Sequence, residues 1–214
     1  EDLKQFVDHG LASPECCVMI GGIGVDLTHF SPAPVVERPV TFVLIARLLA
    51  EKGVREFVAA ARALNRCAHF VLVGGPDANP SSVDRAELDA WSREGVVEWH
   101  DHVDDVRPLI ARSSVLVLPS WYREGVPRSI QEAMAMGRPI ITTDMPGCRD
   151  TVVVGENGFL VPPRDVEALI AAMRRFIDDP TLVARMGACS RQLAEQRFDV
   201  HRSNRLILSA MGLE

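Results

Sequence analysis

Short runs of apolar, largely β-branched residues alternate along this chain with longer segments whose apolar residues recur at helical spacing. This alternation constrains the fold more than any other feature of the sequence, because strands and helices bury their apolar residues with different periods. Four runs are apolar without polar alternation, which indicates strands covered on both faces of a sheet. They are residues 40–46, 69–73, 115–119 and 139–143.

Segments with helical spacing of apolar residues lie between and after these runs. The strongest are residues 54–64 and 166–177, and a new helix is predicted to open at Pro180 with a break near Phe198. Weaker helical segments are residues 83–93, 106–113 and 129–136. Strand and helix in alternation imply βαβ units with a parallel sheet. We therefore expect an α/β fold, a Rossmann-like doubly wound parallel sheet with extra C-terminal helices.

Three stretches lie outside this alternation. Residues 1–39 contain one predicted helix, one short predicted strand at 17–20 and a link rich in glycine and proline. Residues 144–165 are rich in turn residues and are predicted to hold two short strands, and a further strand is predicted at 96–99. We expect the domain proper to extend over residues 40–214.

Charge and cysteine content exclude several classes of protein. Lys and Arg number 23 against 29 Asp and Glu, so the net charge is −6 and no broad basic surface for nucleic acid is expected. An odd count of 5 scattered cysteines argues against a disulfide framework and favours a reducing compartment. No apolar run reaches the roughly 18 residues that span a bilayer, and the first residues do not resemble a signal peptide. We expect a cytoplasmic protein.

Charged and glycine residues follow the predicted strands at the edge where open parallel sheets bind ligands. Arg47 and Lys52 follow the first strand, Gly74 follows the second, and Glu124 and Gly125 follow the third. Arginine grips phosphate oxygens through two nitrogens, lysine adds a point charge, and glycine allows close approach of the backbone. These residues predict a phosphorylated ligand, although both cations are equally compatible with a solvated surface.

A helix predicted to begin near Pro127 would add its N-terminal amides to the same edge. Glu124 and Glu132 would face neutral hydroxyls, as of a sugar or ribose, because carboxylates accept hydrogen bonds and repel phosphate. Two other interpretations stay open at this point. Glu124 fits an exposed carboxylate paired with Arg123, and Ser129-x-x-Glu132 matches a capping box unless the helix begins at Pro127.

Two further chemistries are weaker on residue type and spacing. The sequence from His100 to Asp105 contains ligand-like side chains, but no complete metal-ligand set is evident. Glu124 and Glu132 could form a glycosidase pair, yet Arg47 and Lys52 would then have no role. Neither a metal nor a glycosidase is expected.

Three segments together resemble the retaining glycosyltransferases of family 4, which have the GT-B fold. They are ARLLAEKG, VLPSWYREGVPRSIQEAMAMGRPIITTD and GENGFLVPPRD, in the order and spacing of that family. The spacing of Glu124 and Glu132 matches the family's E-x7-E signature. The resemblance extends from about Val18 to the C-terminal helices and is strongest to bacterial enzymes that build capsule, O-antigen or lipid-linked oligosaccharides.

The resemblance implies that residues 40–214 are one half of a GT-B fold, the nucleotide-sugar donor-binding domain of a hexosyltransferase. Residues 1–39 would be the tail of an N-terminal acceptor-binding domain, together with the hinge. This chain alone would then bind the donor weakly and transfer nothing. The terminal helix, with Leu206, Ile207, Leu208 and Met211, is expected to expose apolar surface that the absent domain would cover.

The resemblance also assigns roles to individual residues. Arg47 and Lys52 would hold the donor diphosphate, Glu124 would contact the transferred sugar, and Glu132 would bind the ribose. Catalysis would rest on Glu124, Arg47 and Lys52. The full set of expected donor-binding residues is Arg47, Lys52, Gly74, Val103, Glu124, Gly125, Val126, Pro127 and Glu132, with Val103 in the loop that faces the base.

The expected partners follow from the same resemblance. The donor would be a nucleotide-diphospho-sugar, with UDP favoured over GDP, and the acceptor a glycan or lipid-linked glycan bound through the absent domain. No cofactor and no metal are expected, and membrane contact would be peripheral, at the inner face of the membrane. The alternative is a non-catalytic, regulatory nucleotide-binding α/β domain; a nucleotide-sugar epimerase is a weaker third candidate.

Overall fold

A computed structural model of the chain describes residues 2–213 and contains one sheet of six parallel strands. The strands are β1 (Thr41–Ile45), β2 (His69–Val73), β3 (Glu98–His100), β4 (Val115–Leu118), β5 (Ile140–Thr143) and β6 (Gly158–Val161). Their order across the sheet is β3-β2-β1-β4-β5-β6. The chain thus starts at the centre, runs out to one edge, returns and runs out to the other. This confirms the doubly wound α/β fold.

Eight α-helices accompany the sheet within residues 2–213. They are α1 (Asp2–Asp8), α2 (Val54–Leu64), α3 (Arg85–Arg93), α4 (Arg107–Ala111), α5 (Arg128–Ala135), α6 (Val166–Asp178), α7 (Thr181–Arg197) and α8 (Val200–Ala210). The predicted break near Phe198 separates α7 from α8. No helix in this described range is long and apolar enough to cross a lipid bilayer.

Apolar side chains fill both faces of the sheet, which explains the unbroken apolar runs. Along β1, Phe42 and Leu44 join the core cluster shared with α2, α3 and α6. Val43 and Ile45, which point to the opposite face, join the cluster shared with α4, α5 and the end of α7. A strand buried on both sides cannot carry the polar alternation of a half-exposed strand.

Two of the predicted short strands are absent. Residues 17–20 form no strand, and Met19 is 66% exposed, so this apolar stretch does not pair with either edge of the sheet. Of the two strands predicted within 144–165, only β6 forms. Val154 makes a single bridge to Gly158, because the chain turns back on itself between them. These two predictions were wrong because the apolar residues lie on the surface or in a turn rather than in a hydrogen-bonded strand.

The link before β1, defined here as the connector (residues 21–36), is fixed to the domain. Its Val25 N–H donates to Phe198 O at 2.7 Å, and Val200 N–H donates to Val25 O at 3.1 Å. Arg138 is fully buried and donates through Nη2 to Pro34 O at 2.8 Å. Burial lowers the pKa of Arg138 to about 10. Arg191 donates through Nη1 to Phe30 O at 3.1 Å. Two arginines therefore hold the connector by its carbonyl groups.

The predicted exposure of the terminal helix is confirmed for Leu206, Leu208 and Met211, whereas Ile207 is half-buried. Leu206 is 40% exposed, Leu208 42% and Met211 65%. Phe6 and Leu11, near the other end of the chain, are also exposed, at 54% and 71%. The apolar surface of the domain is thus concentrated on its terminal segments.

Helices α5 and α7 approach so closely that a glycine is required between them. A Cβ on Gly187 of α7 would lie 2.2 Å from Gly137 O. Alanine stabilises a helix by about 1 kcal/mol relative to glycine, but the clash of its Cβ destabilises the fold by more than this gain. Gly187→Ala is expected to lower the free energy of unfolding by about 1–2 kcal/mol in urea denaturation. Gln192→Ala, at an exposed position of the same helix, is the control. A Gly187→Ala variant as stable as the unaltered chain would contradict this packing.

Candidate functional site

A cleft of about 560 Å³ lies at the carboxyl ends of β1, β2, β3 and β4. The loops that follow these four strands line it, together with the start of α5. Seven of the nine predicted site residues lie in its wall: Arg47, Lys52, Gly74, Val103, Glu124, Pro127 and Glu132. Gly125 and Val126 do not line it. Convergence of the strand ends therefore brought together residues far apart in sequence, as the parallel topology requires.

Lys52 and Glu124 form an ion pair in the cleft. Lys52 Nζ donates to Glu124 Oε2 at 2.5 Å, and the two side chains are only 14% and 17% exposed. The other oxygen of Glu124 accepts a hydrogen bond from Ser120 Oγ at 2.9 Å, and Ser120 is fully buried. The interpretation of Glu124 as an exposed loop carboxylate is therefore wrong. Each carboxylate oxygen keeps a lone pair, and the ammonium keeps two further donors, for a ligand.

Backbone contacts fix the turn that carries Lys52 against the end of β4. Trp121 N–H donates to Glu51 O at 2.9 Å, and Ser120 Oγ, whose single proton goes to Glu124, lies 3.2 Å from the same carbonyl. Gly53 ends the turn with φ +74, and a Cβ there would lie 2.2 Å from Pro119 O. Contacts between the backbones of two loops thus fix where the Lys52 side chain enters the cleft.

Glu132 lies in α5 with its side chain 10% exposed, and its Oε1 accepts from Arg128 Nε at 2.9 Å. Pro127 is the residue before the first turn of the helix, so Ser129 and Glu132 do not occupy the capping-box positions and that interpretation is wrong. Burial raises the pKa of the Glu132 carboxyl, and Arg128 acts in the opposite direction. Because Arg128 is 70% exposed, its screened charge offsets that burial only weakly.

The N-terminus of α5 forms part of the cleft wall through Pro127, Arg128 and Ser129. Pro127 gives no side-chain cap, and the first helical bond runs from Gln131 N–H to Pro127 O at 3.2 Å. The amides of the first turn therefore remain for an acceptor from outside the helix. A helix start of this kind favours an anion.

Arg47 reaches the cleft from the loop after β1 and is 67% exposed. Its Nη1 lies 3.6 Å from Asp77 Oδ2, which makes a loose ion pair. Sequence reasoning missed Asp77, although its place directly after the Gly74–Pro76 loop of β2 is a usable signal. The carboxylate holds Arg47 on the β2 side of the cleft.

Gly74 is required by the closeness of two strand ends. Its φ is +142, and a Cβ would lie 2.0 Å from Ala46 O. Gly74 N–H donates to His100 O at 2.9 Å, and Gly74 O accepts from Trp99 Nε1 at 2.9 Å. The glycine thereby ties the ends of β1, β2 and β3 together at the floor of the cleft.

The loop after β3 places Val103 in the cleft wall, with Asp101, His102 and Val106 beside it. Asp101 is held by Arg85 and by the N–H of His102. Arg85 also lies over the Trp99 ring, 5.1 Å from its centroid. Among residues 2–213 no three ligand-type side chains come together to hold a metal ion. Valine in such a wall suits the flat face of a base.

Gly125 and Val126 belong to the Glu124 loop, defined here as residues 119–127, but are not among the residues that line the cleft. Gly147 packs so closely on this loop that a Cβ would come within 2.4 Å of Gly125 O. Val126 O accepts from Gln131 Nε2 at 3.0 Å. Trp121 of the same loop is covered by Arg164, whose guanidinium carbon lies 3.9 Å from the ring centroid. The loop is therefore supported by contacts with Gly147, Gln131 and Arg164.

Residues 39–179 match the family described as Glycosyl transferases group 1. The chain belongs to this family. It is 31% identical over 186 residues to the N,N'-diacetylbacillosaminyl-diphospho-undecaprenol alpha-1,3-N-acetylgalactosaminyltransferase of Campylobacter jejuni, a match covering 81% of this chain and 48% of that protein. The chain spans about half the length of the curated relatives it matches.

Solved structures agree with the family at the level of the fold. The sucrose-phosphate synthase of Thermosynechococcus elongatus gives a TM-score of 0.77 at 26% identity, covering 89% of this chain and 51% of that one. Anabaena HepE, solved in complex with UDP, gives a TM-score of 0.80 at 23% identity, covering 98% and 61%. These neighbours are GT-B glycosyltransferases, so this glycosyl transferase domain has the Rossmann-like architecture of half a GT-B enzyme.

The raised pKa of Glu132 gives a pH-dependent prediction of stability. Folding favours the protonated carboxyl, so the charged form lowers stability at neutral pH, and this cost vanishes below the group's ordinary pKa. Glu132→Gln is expected to raise the melting temperature at pH 7.5 by about 2–4 °C, or about 1 kcal/mol. At pH 4 the gain should disappear. Glu156→Gln, in an exposed turn, is the control. A gain equal at both pH values would contradict the argument.

Proposed function

We propose that this chain is the donor-binding domain of a retaining glycosyltransferase, and that its cleft binds a nucleotide-diphospho-sugar. The observation that carries the proposal is the convergence of Arg47, Lys52 and the start of α5 on one cleft that also holds two largely buried carboxylates. Cations and helix amides suit phosphate, whereas buried carboxylates suit hydroxyl groups.

The diphosphate would bind between the two cations and the first turn of α5. Lys52 has two ammonium hydrogens beyond the one given to Glu124, and Arg47 has a guanidinium fork that exchanges Asp77 for phosphate oxygens. When the bond from sugar to phosphate breaks, negative charge builds on the leaving diphosphate. Fixed cations and amides stabilise that charge without a metal ion.

The carboxylates would bind the hydroxyl groups on either side of the diphosphate. Glu132 lies one turn into α5 and would accept hydrogen bonds from the ribose hydroxyls. Glu124 would accept hydrogen bonds from the transferred sugar. Ser120 and Lys52 hold Glu124 in place, so its remaining lone pairs are presented in a fixed direction. Val103 would lie against the base, with UDP preferred over GDP; the UDP complex of the structural neighbour HepE supports this choice.

Acceptor binding is proposed for a further part of a longer protein, because the chain spans about half the length of its relatives. The acceptor would be a glycan or lipid-linked glycan, as in the Campylobacter relative named above. This chain alone would bind the donor and transfer no sugar, and measurable turnover by it would contradict this part of the proposal. In the longer protein, NMR of the new glycosidic bond should show retention of the donor's anomeric configuration.

Calorimetric titration with UDP, GDP and ADP tests the donor site directly. UDP is expected to bind most tightly. Arg47→Ala should weaken UDP binding by about tenfold or more, because a hydrogen bond to a charged group contributes about 1.5–3 kcal/mol and 1.4 kcal/mol is tenfold. The substitution should not change the affinity for uridine, which lacks phosphate.

Arg62→Ala is the matched control for this titration. Arg62 is an arginine of α2 that pairs with Glu94 at 2.8 Å, and it does not line the cleft. The proposal is wrong if no nucleotide binds at millimolar concentration, or if Arg47→Ala and Arg62→Ala weaken UDP equally.

Asp77 is expected to compete with the diphosphate for Arg47. Asp77→Asn removes the competing charge and should tighten UDP binding about threefold, since an exposed ion pair contributes at most about 1 kcal/mol. Asp89→Asn, an exposed carboxylate on α3, controls for the change in net charge. In an Arg47→Ala background the gain from Asp77→Asn should shrink. Weaker UDP binding by Asp77→Asn would show that Asp77 binds the ligand itself.

A further inference from the structure

The connector contacts the Glu124 loop at Gly22. A Cβ on Gly22 would lie 3.3 Å from Val126 Cβ and 3.4 Å from Gln131 Nε2. Ordinary contacts of a Cβ are longer than this, so any side chain at position 22 would push the loop or α5 by a few tenths of an ångström. Residue 22 therefore meets the same two elements that carry Glu124 and Glu132.

Helix α8 holds the connector in place on the other side. Ser203 is buried and donates through Oγ to Gly22 O at 3.3 Å. Gly24 lies against the start of α8, where a Cβ would come within 2.6 Å of Val200 Cα. The connector backbone is thus confined between α8 and the Glu124 loop, and it cannot retreat from Val126 without breaking these contacts.

Gln131 extends the contact into the helix. Its side chain is fully buried, and its Nε2 donates to Val126 O at 3.0 Å, which ties the end of the Glu124 loop to α5. Its Oε1 is buried without a hydrogen-bond partner among the described residues. A displacement of Val126 by the connector would therefore strain the one side-chain bond that this amide makes.

We propose that Gly22 is a positioning residue for the donor site, because its bare backbone seats the connector on Val126 and Gln131 and so sets the place of the Glu124 loop. Whatever moves the connector then moves the carboxylate that faces the sugar. The binding part of this inference rests on the proposed function, whereas the structural part does not.

Gly22→Ala and Gly21→Ala form the test pair. Both glycines have positive φ, +119 and +65, so both substitutions strain the backbone, but a Cβ on Gly21 meets nothing within 4 Å. Hydrogen exchange of the ligand-free chain should show faster exchange in residues 119–127 for Gly22→Ala and not for Gly21→Ala. The affinity for UDP-glucose, whose sugar Glu124 would contact, should fall about fivefold in Gly22→Ala only, since small misplacements of binding groups are costly.

Rescue separates the contact from backbone strain. Val126→Ala removes the atoms that the new methyl group meets, so the double variant Gly22→Ala, Val126→Ala should recover the exchange and affinity of Val126→Ala alone. Where Gly22→Ala does not fold, Val126→Leu crowds the same contact from the opposite side without strain at position 22. It should produce the same faster exchange in residues 119–127.

Two results would overturn the inference. One is equal exchange of residues 119–127 in Gly22→Ala and Gly21→Ala; the other is a loss in Gly22→Ala that Val126→Ala does not reverse. Failure of the proposed function looks different, because the unaltered chain would then bind no UDP while the exchange experiment still decides the role of Gly22.

Discussion

The turn that carries Lys52 packs so closely against the end of β4 that only glycine fits at position 53. A Cβ on Gly53 would lie 2.2 Å from Pro119 O. A hydrogen bond from Trp121 N–H to Glu51 O closes the same contact. β1 and β4 are the central neighbours at which the chain reverses its direction across the sheet. Their loops are thus forced side by side, and the cation after one strand meets the carboxylate after the other.

Much of the fold could be predicted because burial on both faces leaves a direct trace in sequence. Residues 42–45 and 70–73 are buried and apolar at every position, so the runs that predict β1 and β2 are clear. Residues 17–20 show the limit of this reasoning. They are equally apolar, yet Met19 is 66% exposed and no strand forms, because pairing needs a free sheet edge that composition cannot reveal.

The candidate site could be predicted as a set of positions but not as a set of partners. Lys52 and Glu124 were expected at the same rim from the parallel topology, whereas their ion pair joins residues 72 positions apart and depends on how two loops pack. The capping interpretation of Glu132 failed because the helix begins at Arg128 rather than later. Asp77 was missed although it directly follows the loop of β2, because its role depends on Arg47, which lies beside it only in the folded structure.

Three cations of the cleft wall are each paired with a carboxylate: Lys52 with Glu124, Arg47 with Asp77, and Arg128 with Glu132. An anion that draws the cations away leaves carboxylates facing negative charge, which is costly in a partly buried site. Inorganic phosphate or diphosphate would satisfy only the cations. A diphosphate with hydroxyl-rich sugars on both sides satisfies both kinds of group, because the hydroxyls donate to the carboxylates while the phosphates take the cations. Under the proposed function, this charge pattern would select against the bare anion as well as for the nucleotide sugar.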